Sequence, residues 1–271
     1  MSELPEKPLM EHVYDLLETI RKILLTIVAF MLALLLLPTP HLLPERYVPL
    51  TFYLMDQIRG IVLSYESNLV FQPLAKTLRV NSSSVILISH GWFDSLTAAV
   101  ITSALVGIVV LSPVVAYFIY RFIEPGLYPH EKRVVKRYLV VILLLFVSGV
   151  VYGLYVVMPL TFLIALWLAQ LGGAAPLFSI QDFYQNVFLG SVAVGVFFMF
   201  PVFVLTLSKI GVISYETLRN NWRYVFFLTV ALLVVLTPDP TPTSTLALGL
   251  PFLGLYFLSM WLIKEKRKKS K

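Results

Sequence analysis

The chain has 271 residues, 58% of them hydrophobic and 13% charged, with a formal net charge of +6 and a mean hydropathy of +0.85. A soluble domain carries about 25% charged residues, so an ordinary water-soluble globule is excluded and most side chains must face lipid. The bases cluster at the ends of apolar runs, as orientation signals do rather than as a nucleic-acid surface does, and the lack of cysteine excludes disulfides and thiolate metal sites.

Six apolar spans are predicted in one polytopic membrane domain, at residues 20–37, 95–120, 138–158, 185–207, 223–237 and 243–263. An acidic amphipathic segment, 9–20, leads into the first. Its Glu11, Asp15 and Glu18 fall at i, i+4 and i+7, on one helical face. Acids ahead of the first apolar run are unlike the basic start of a cleavable signal. The connection 38–92 follows. Its apolar stretches 50–63 and 85–88 are too short or too charged to span, which predicts a partly helical cap over the outer face. The second span contains Pro113 and runs up to the segment 122–133, Phe-Ile-Glu-Pro-Gly-Leu-Tyr-Pro-His-Glu-Lys-Arg. Pro125 and Pro129 block a continuous helix and favour a stiff turn. That turn presents Glu124 and Glu131 among Arg121, Lys132, Arg133, Lys136 and Arg137. The third span is expected to end at Pro159. Its Gly149 and Gly153 form a small-xxx-small pair, read as helix packing within the subunit. The fourth span contains Pro201. The fifth has 15 residues, about 22 Å against a hydrocarbon core of about 30 Å, and is expected to thin the bilayer. The sixth contains Pro251.

Charge asymmetry orients the spans. Residues 121–137 hold five Lys/Arg, 208–223 hold three and 264–271 hold six, whereas 159–184 and 238–242 hold none. The positive-inside rule then puts both termini and the basic connections in the cytoplasm of a multi-pass cell-membrane protein. The spans are almost free of ionisable groups, which argues against an ion-coupled transporter and an intramembrane protease. A six-span secondary transporter or channel is the alternative reading. No catalytic pair, metal-ligand spacing or phosphate loop stands out, so neither an enzyme nor a cofactor is expected. Two acidic patches on one side suit a cationic ligand, and the planar fork of arginine meets carboxylates in pairs. The bland alternatives are dipole compensation for the first patch and pairing of Glu124 and Glu131 with Lys132, Arg133 or Lys136 for the second.

These residues resemble the TatC family, the polytopic core subunits of the twin-arginine protein translocase. Pro8-Leu9-Met10-Glu11-His12-Val13-Tyr14-Asp15-Leu16-Leu17 stands where the family has Pro-Leu-x-x-His-Leu-x-Glu-Leu-Arg. Residues 122–133 match its Phe-x-x-Pro-x-Leu-x-x-x-Glu motif with two following bases, including Phe122 and Pro125. Pro113, Pro201 and the turn Thr237-Pro238-Asp239-Pro240 match as well. The resemblance implies an all-α integral membrane protein of six transmembrane helices, several of them Pro-kinked, with a long, partly helical first outer loop. It implies recognition of twin-arginine signal peptides on folded precursors, driven by the proton-motive force. Glu131 and Asp15 carry over as the binding acids, with Glu11, Glu18, Glu124 and His12 beside them. Implied partners are small single-span TatA/TatB-like subunits, membrane lipid, and further copies of the chain in the active complex. Three positions depart from the family: Asp15 for Glu, Leu17 for Arg, and Met199 for a polar residue. Met199 is therefore expected to meet the partner by packing, with any polar contact moved to Gln185, Asn186 or Ser191.

Overall fold

The computed structural model describes residues 9–39, 47–65, 71–80, 85–209, 215–236 and 249–261. Its helices are α1 Leu9–Leu36, α2 Leu50–Leu63, α3 Gln72–Leu78, α4 Asp94–Ile123, α5 Pro129–Tyr152, α6 Met158–Leu171, α7 Ile180–Phe198, α8 Phe200–Lys209, α9 Tyr215–Leu236 and α10 Gly249–Trp261. Two short strands, β1 Ile86–Ile88 and β2 Leu177–Ser179, a 3-10 turn Glu124–Gly126 and a π turn Gly153–Val157 complete the described elements. Four continuous helical runs are long and apolar enough to cross a membrane, and α10 is a shorter apolar helix. With α9 they make a six-span, all-α membrane protein.

Several boundaries differ from the sequence expectation, for identifiable reasons. The third span does not stop at Pro159. A π turn, Gly153–Val157, joins α5 to α6, and the Met158 N–H bonds to the Gly153 carbonyl. The wider turn falls where Pro159 has no N–H to give, so the helix continues to Leu171. The fourth span starts at Ile180, earlier than expected, because Ser179 caps it by accepting the Asp182 N–H at 3.4 Å. Asp182 belongs to the first turn, where an acid suits the helix dipole. The fifth span's helix begins at Tyr215 and has 22 residues. Its first turns carry Glu216, Arg219, Asn220 and Asn221, so only its second part is apolar.

Prolines inside spans are accommodated locally. Pro113 leaves the Val109 carbonyl without its helical donor. The Ser112 hydroxyl donates to that carbonyl at 2.6 Å instead, a repair lipid requires because no water reaches the site. Pro201 lies just past a break at Met199, where α7 ends and α8 begins.

The cap forms as expected and is pinned by contacts far apart in sequence. β1 pairs in parallel with β2, Ile86 opposite Leu177 and Ile88 opposite Ser179, which joins the two connections at that end. The Thr51 and Ser103 hydroxyls bond at 2.9 Å, and the Tyr184 hydroxyl donates to the Met55 carbonyl at 2.8 Å. The main hydrophobic cluster gathers here, with Val62, Ala98, Ala99, Val157, Met158 and Leu163 all at 0% exposure. Small residues let the helices close. A Cβ on Gly149 would lie 2.8 Å from the Gly195 Cα, and one on Gly153 would lie 2.8 Å from the Ser191 Cα. The Gly149/Gly153 pair is thus packing within the subunit, against α7, as the sequence reading held. A second, smaller cluster joins α8, α9 and α10 through Val204, Leu218, Phe252 and Tyr256, where the Tyr256 hydroxyl donates to the Leu218 carbonyl at 2.7 Å.

Candidate functional site

The acidic candidates share the end of the bundle opposite the cap. Gly107 faces Phe30 and Met31, and Ile27 lines a groove with Ile108 and Ser112. The helices α1 and α4 therefore run in opposite senses. Asp15 lies twelve residues before Ile27, and Glu124 twelve after Ser112, about 18 Å along each helix. The start of α1 and the α4–α5 turn consequently stand at the same level.

The turn is built by its prolines. After α4, Glu124–Gly126 form one 3-10 turn containing Pro125. Pro129 opens α5 at its first position, where the missing N–H costs nothing. Tyr128, in extended backbone, is the residue before that helix. The Tyr128 N–H donates to Glu131 Oε2 at 3.0 Å, and the Glu131 N–H donates to the Tyr128 carbonyl at 2.9 Å. Glu131 thus reaches back over the first turn of α5, as the third residue of a capping box does. Its charge sits at the positive end of the helix dipole.

The pairing expected within the turn forms at Glu124 and, among the described residues, not at Glu131. Lys132 reaches the other way, its Nζ 3.4 Å from Glu124 Oε1. The Tyr120 hydroxyl donates to the same Glu124 oxygen at 3.1 Å, and the Lys136 ammonium lies 4.9 Å from the centre of the Tyr120 ring. Glu124 is tied into the turn, while Glu131 keeps one carboxylate oxygen clear of ion pairs. Phe122 sits half-buried in the last turn of α4.

On α1, Glu11 is exposed, Asp15 half-buried, and Glu18 pairs with Lys22 at 2.7 Å. The Thr19 hydroxyl donates to the Asp15 carbonyl at 2.8 Å. His12 is on α1, but its side chain is outside the described residues, as are Pro238 and Asp239 of the turn after the fifth span. Met199 is half-buried at the α7–α8 break, lining the same groove as Ile27 and Ser112. Of the expected polar contacts on that span, Gln185 is exposed and Asn186 half-buried. Ser191 is fully buried against Gly153, in the α5–α7 seam, so no partner helix reaches it.

Sequence reasoning missed the capping role of Glu131 and the part played by Tyr120. Both had a signal. Pro129 followed two residues later by Glu131 is a helix-start pattern, and Tyr120 and Glu124 are spaced i, i+4.

Comparison with known proteins places these features in context. The family model "Sec-independent protein translocase protein (TatC)" matches residues 11–251. A Sec-independent protein translocase protein TatC from Aquifex aeolicus is 31% identical over 235 residues, covering 86% of this chain and 97% of the relative. The protein of the same name from Carboxydothermus hydrogenoformans is 30% identical, covering 77% and 83%. A crystal structure described as the twin arginine translocase receptor TatC superposes with a TM-score of 0.64 at 27% identity, covering 93% of this chain and 98% of that one.

Proposed function

This chain belongs to the TatC family of Sec-independent protein translocase proteins, and on that premise we propose that it is the receptor that binds the arginine pair of twin-arginine signal peptides. The observation that carries the reading is the state of Glu131. Its carboxylate is held in place by the Tyr128 N–H, and its nearest cation in sequence, Lys132, pairs with Glu124 instead. The site is an oriented anion on a proline-bounded turn, so little ordering entropy is lost when a guanidinium docks. Asp15 is its closest helper at the same level of the bundle, with Glu11 and Glu18 on the same helix. Glu124 shapes the turn.

In this reading both termini and the acidic end face the cytoplasm, where precursors are met. Small single-span subunits pack on the membrane face near Met199, with Gln185 and Asn186 supplying polar contact, and several copies of the chain join the active complex. The proton-motive force supplies the energy. The short apolar part of α9 thins the bilayer beside the path, with Trp222 and Arg223 anchoring its polar end at the interface. Four leucines inserted into that part should impair transport and leave signal binding intact; unimpaired transport would remove the thinning role.

Peptide binding to the purified chain in lipid nanodiscs tests the central claim. An Arg-Arg signal peptide should bind, and its Lys-Lys version more weakly, because lysine lacks the bidentate fork. Glu131→Gln keeps the cap, since a glutamine oxygen still accepts the Tyr128 N–H, and removes only the charge. A charge-assisted bond contributes roughly 1.5–3 kcal/mol, so affinity should fall about 10- to 150-fold. Unchanged affinity would move the site to Glu11, Asp15 and Glu18.

A further inference from the structure

A second groove opens at the same end, on the seam between α4 and α5. Its cavity is about 340 Å³, with Pro113, Ala116 and Tyr120 on one wall and Lys136, Val140 and Leu143 on the other. From Lys136 to Leu143 is seven residues, so the groove runs about 10 Å from the turn into the hydrocarbon zone. Every lining residue but Lys136 is apolar or aromatic. Its deep part lies where only acyl chains reach; its mouth carries a cation.

Among the described residues no ion pair neutralises that cation. Glu124 is the carboxylate of the turn that feels its charge, but the Glu124 Oε1 already takes Lys132 and the Tyr120 hydroxyl. Lys136 instead lies over the Tyr120 ring and is in no ion pair among the described residues. Around it, residues 121–137 carry five cations and two anions, a net +3.

We propose that this seam holds an anionic phospholipid, with one acyl chain between α4 and α5 and the phosphate on Lys136. Charge selects the occupant. A cationic peptide is repelled at the mouth, and a zwitterionic headgroup brings its own ammonium against Lys136. A free phosphate has no use for the apolar depth. Basic pockets between transmembrane helices select anionic headgroups in this way. The neighbouring groove of about 380 Å³, lined by Ile27, Ser112, Ile142 and Met199, shares Ala116, Leu139 and Leu143 with the seam but has no charged residue. Nothing there selects a headgroup. The lipid's phosphate sits five residues from Glu131 on α5, so it offsets local positive charge without touching the capping contact. The proposal stands apart from the signal-peptide reading.

Native mass spectrometry of the full chain in detergent tests it, with phosphatidylglycerol and phosphatidylcholine of identical chains titrated separately. Phosphatidylglycerol should give a tighter one-to-one adduct. Lys136→Gln should weaken that adduct about fivefold and leave the phosphatidylcholine adduct unchanged, while Lys136→Arg retains it. Leu143→Trp fills the seam and should remove the preference with Lys136 still in place. Arg133→Gln, the same charge change outside the seam, should leave the ratio of the two lipids as it was. Equal binding of the two lipids, an unaffected Lys136→Gln, or an equal loss in Arg133→Gln would overturn the site. Displacement of the adduct by inorganic phosphate would reduce it to a surface anion site and overturn the lipid assignment. Equal melting temperatures across the variants separate lost binding from lost fold.

Discussion

The same helices behave differently at their two ends. On α4, Ala98, Ala99, Thr102, Ser103, Leu105 and Gly107 are buried in the half toward the cap, while Tyr120 alone is buried among the described residues beyond them. On α5, Gly149 and Val150 are buried and the described residues before them are partly or fully exposed. The difference follows from side-chain size. Where Ala, Ser and Gly line the contact, backbones approach closely and dispersion contacts accumulate. Where Ile, Val, Leu, Pro113 and Met199 line it, the helices stand apart and leave grooves. The closed end is a scaffold, tied further by β1–β2 and the cap's hydrogen bonds. The open end carries the charges and the cavities, so the surfaces offered to ligands sit on a rigid base.

The contrast can be broken most severely at the closed end. Gly153→Leu puts a side chain where even a Cβ meets the Ser191 backbone at 2.8 Å. Backbone cannot step aside as a flexible side chain does, so a loss of about 3 kcal/mol or more is expected, read as a collapse of the melting temperature in detergent. The matched change at the open end, Gly126→Leu, starts from a Cβ with nothing within 4 Å and should stay within about 0.5 kcal/mol. Similar losses for the two would show that the ends do not differ in packing.

A smaller effect is expected where the cap is tied to the bundle. Tyr184→Phe removes the hydroxyl that bonds the Met55 carbonyl, which keeps only its partner within α2, for about 0.5–1.5 kcal/mol. Hydrogen exchange should accelerate in α2 and remain unchanged in the first turns of α5. Faster exchange in both would mean the cap supports the turn directly.

At the turn itself, Glu131→Ala loses the reach back to Tyr128, whereas Glu131→Gln keeps it. The alanine variant should be less stable than the glutamine variant by about 1 kcal/mol, measured by thermal unfolding without peptide. Equal stability would deny the capping contact any weight.

The smallest effect belongs to the proline repair. Ser112→Ala frees the Val109 carbonyl beside Pro113. Side-chain hydrogen bonds in membranes average about 0.6 kcal/mol, so a shift of that order is expected. No shift would indicate that the carbonyl finds another donor on relaxation.

The spans were legible because lipid demands long uncharged runs, and the turn because two prolines four residues apart admit little else. The cap was legible as stretches too short to cross. Two span boundaries were misread: the end expected at Pro159 and the start expected at residue 185. A π turn carries the helix past the first, and a serine cap moves the second back to Ile180. Neither outcome is visible in hydropathy, because each depends on where neighbouring backbone groups find partners.

By itself the sequence determined an all-helical, six-span membrane protein with its acids gathered beside a basic turn, because burying charge in lipid is costly and prolines lack a donor. Only the tertiary structure decided which carboxylate stays available. Glu124 and Glu131 are equivalent in composition, seven residues apart on one short segment. The fold brings Tyr120 and Lys132 to the first and a lone backbone N–H to the second, and that choice depends on how α4 and α5 meet across the turn.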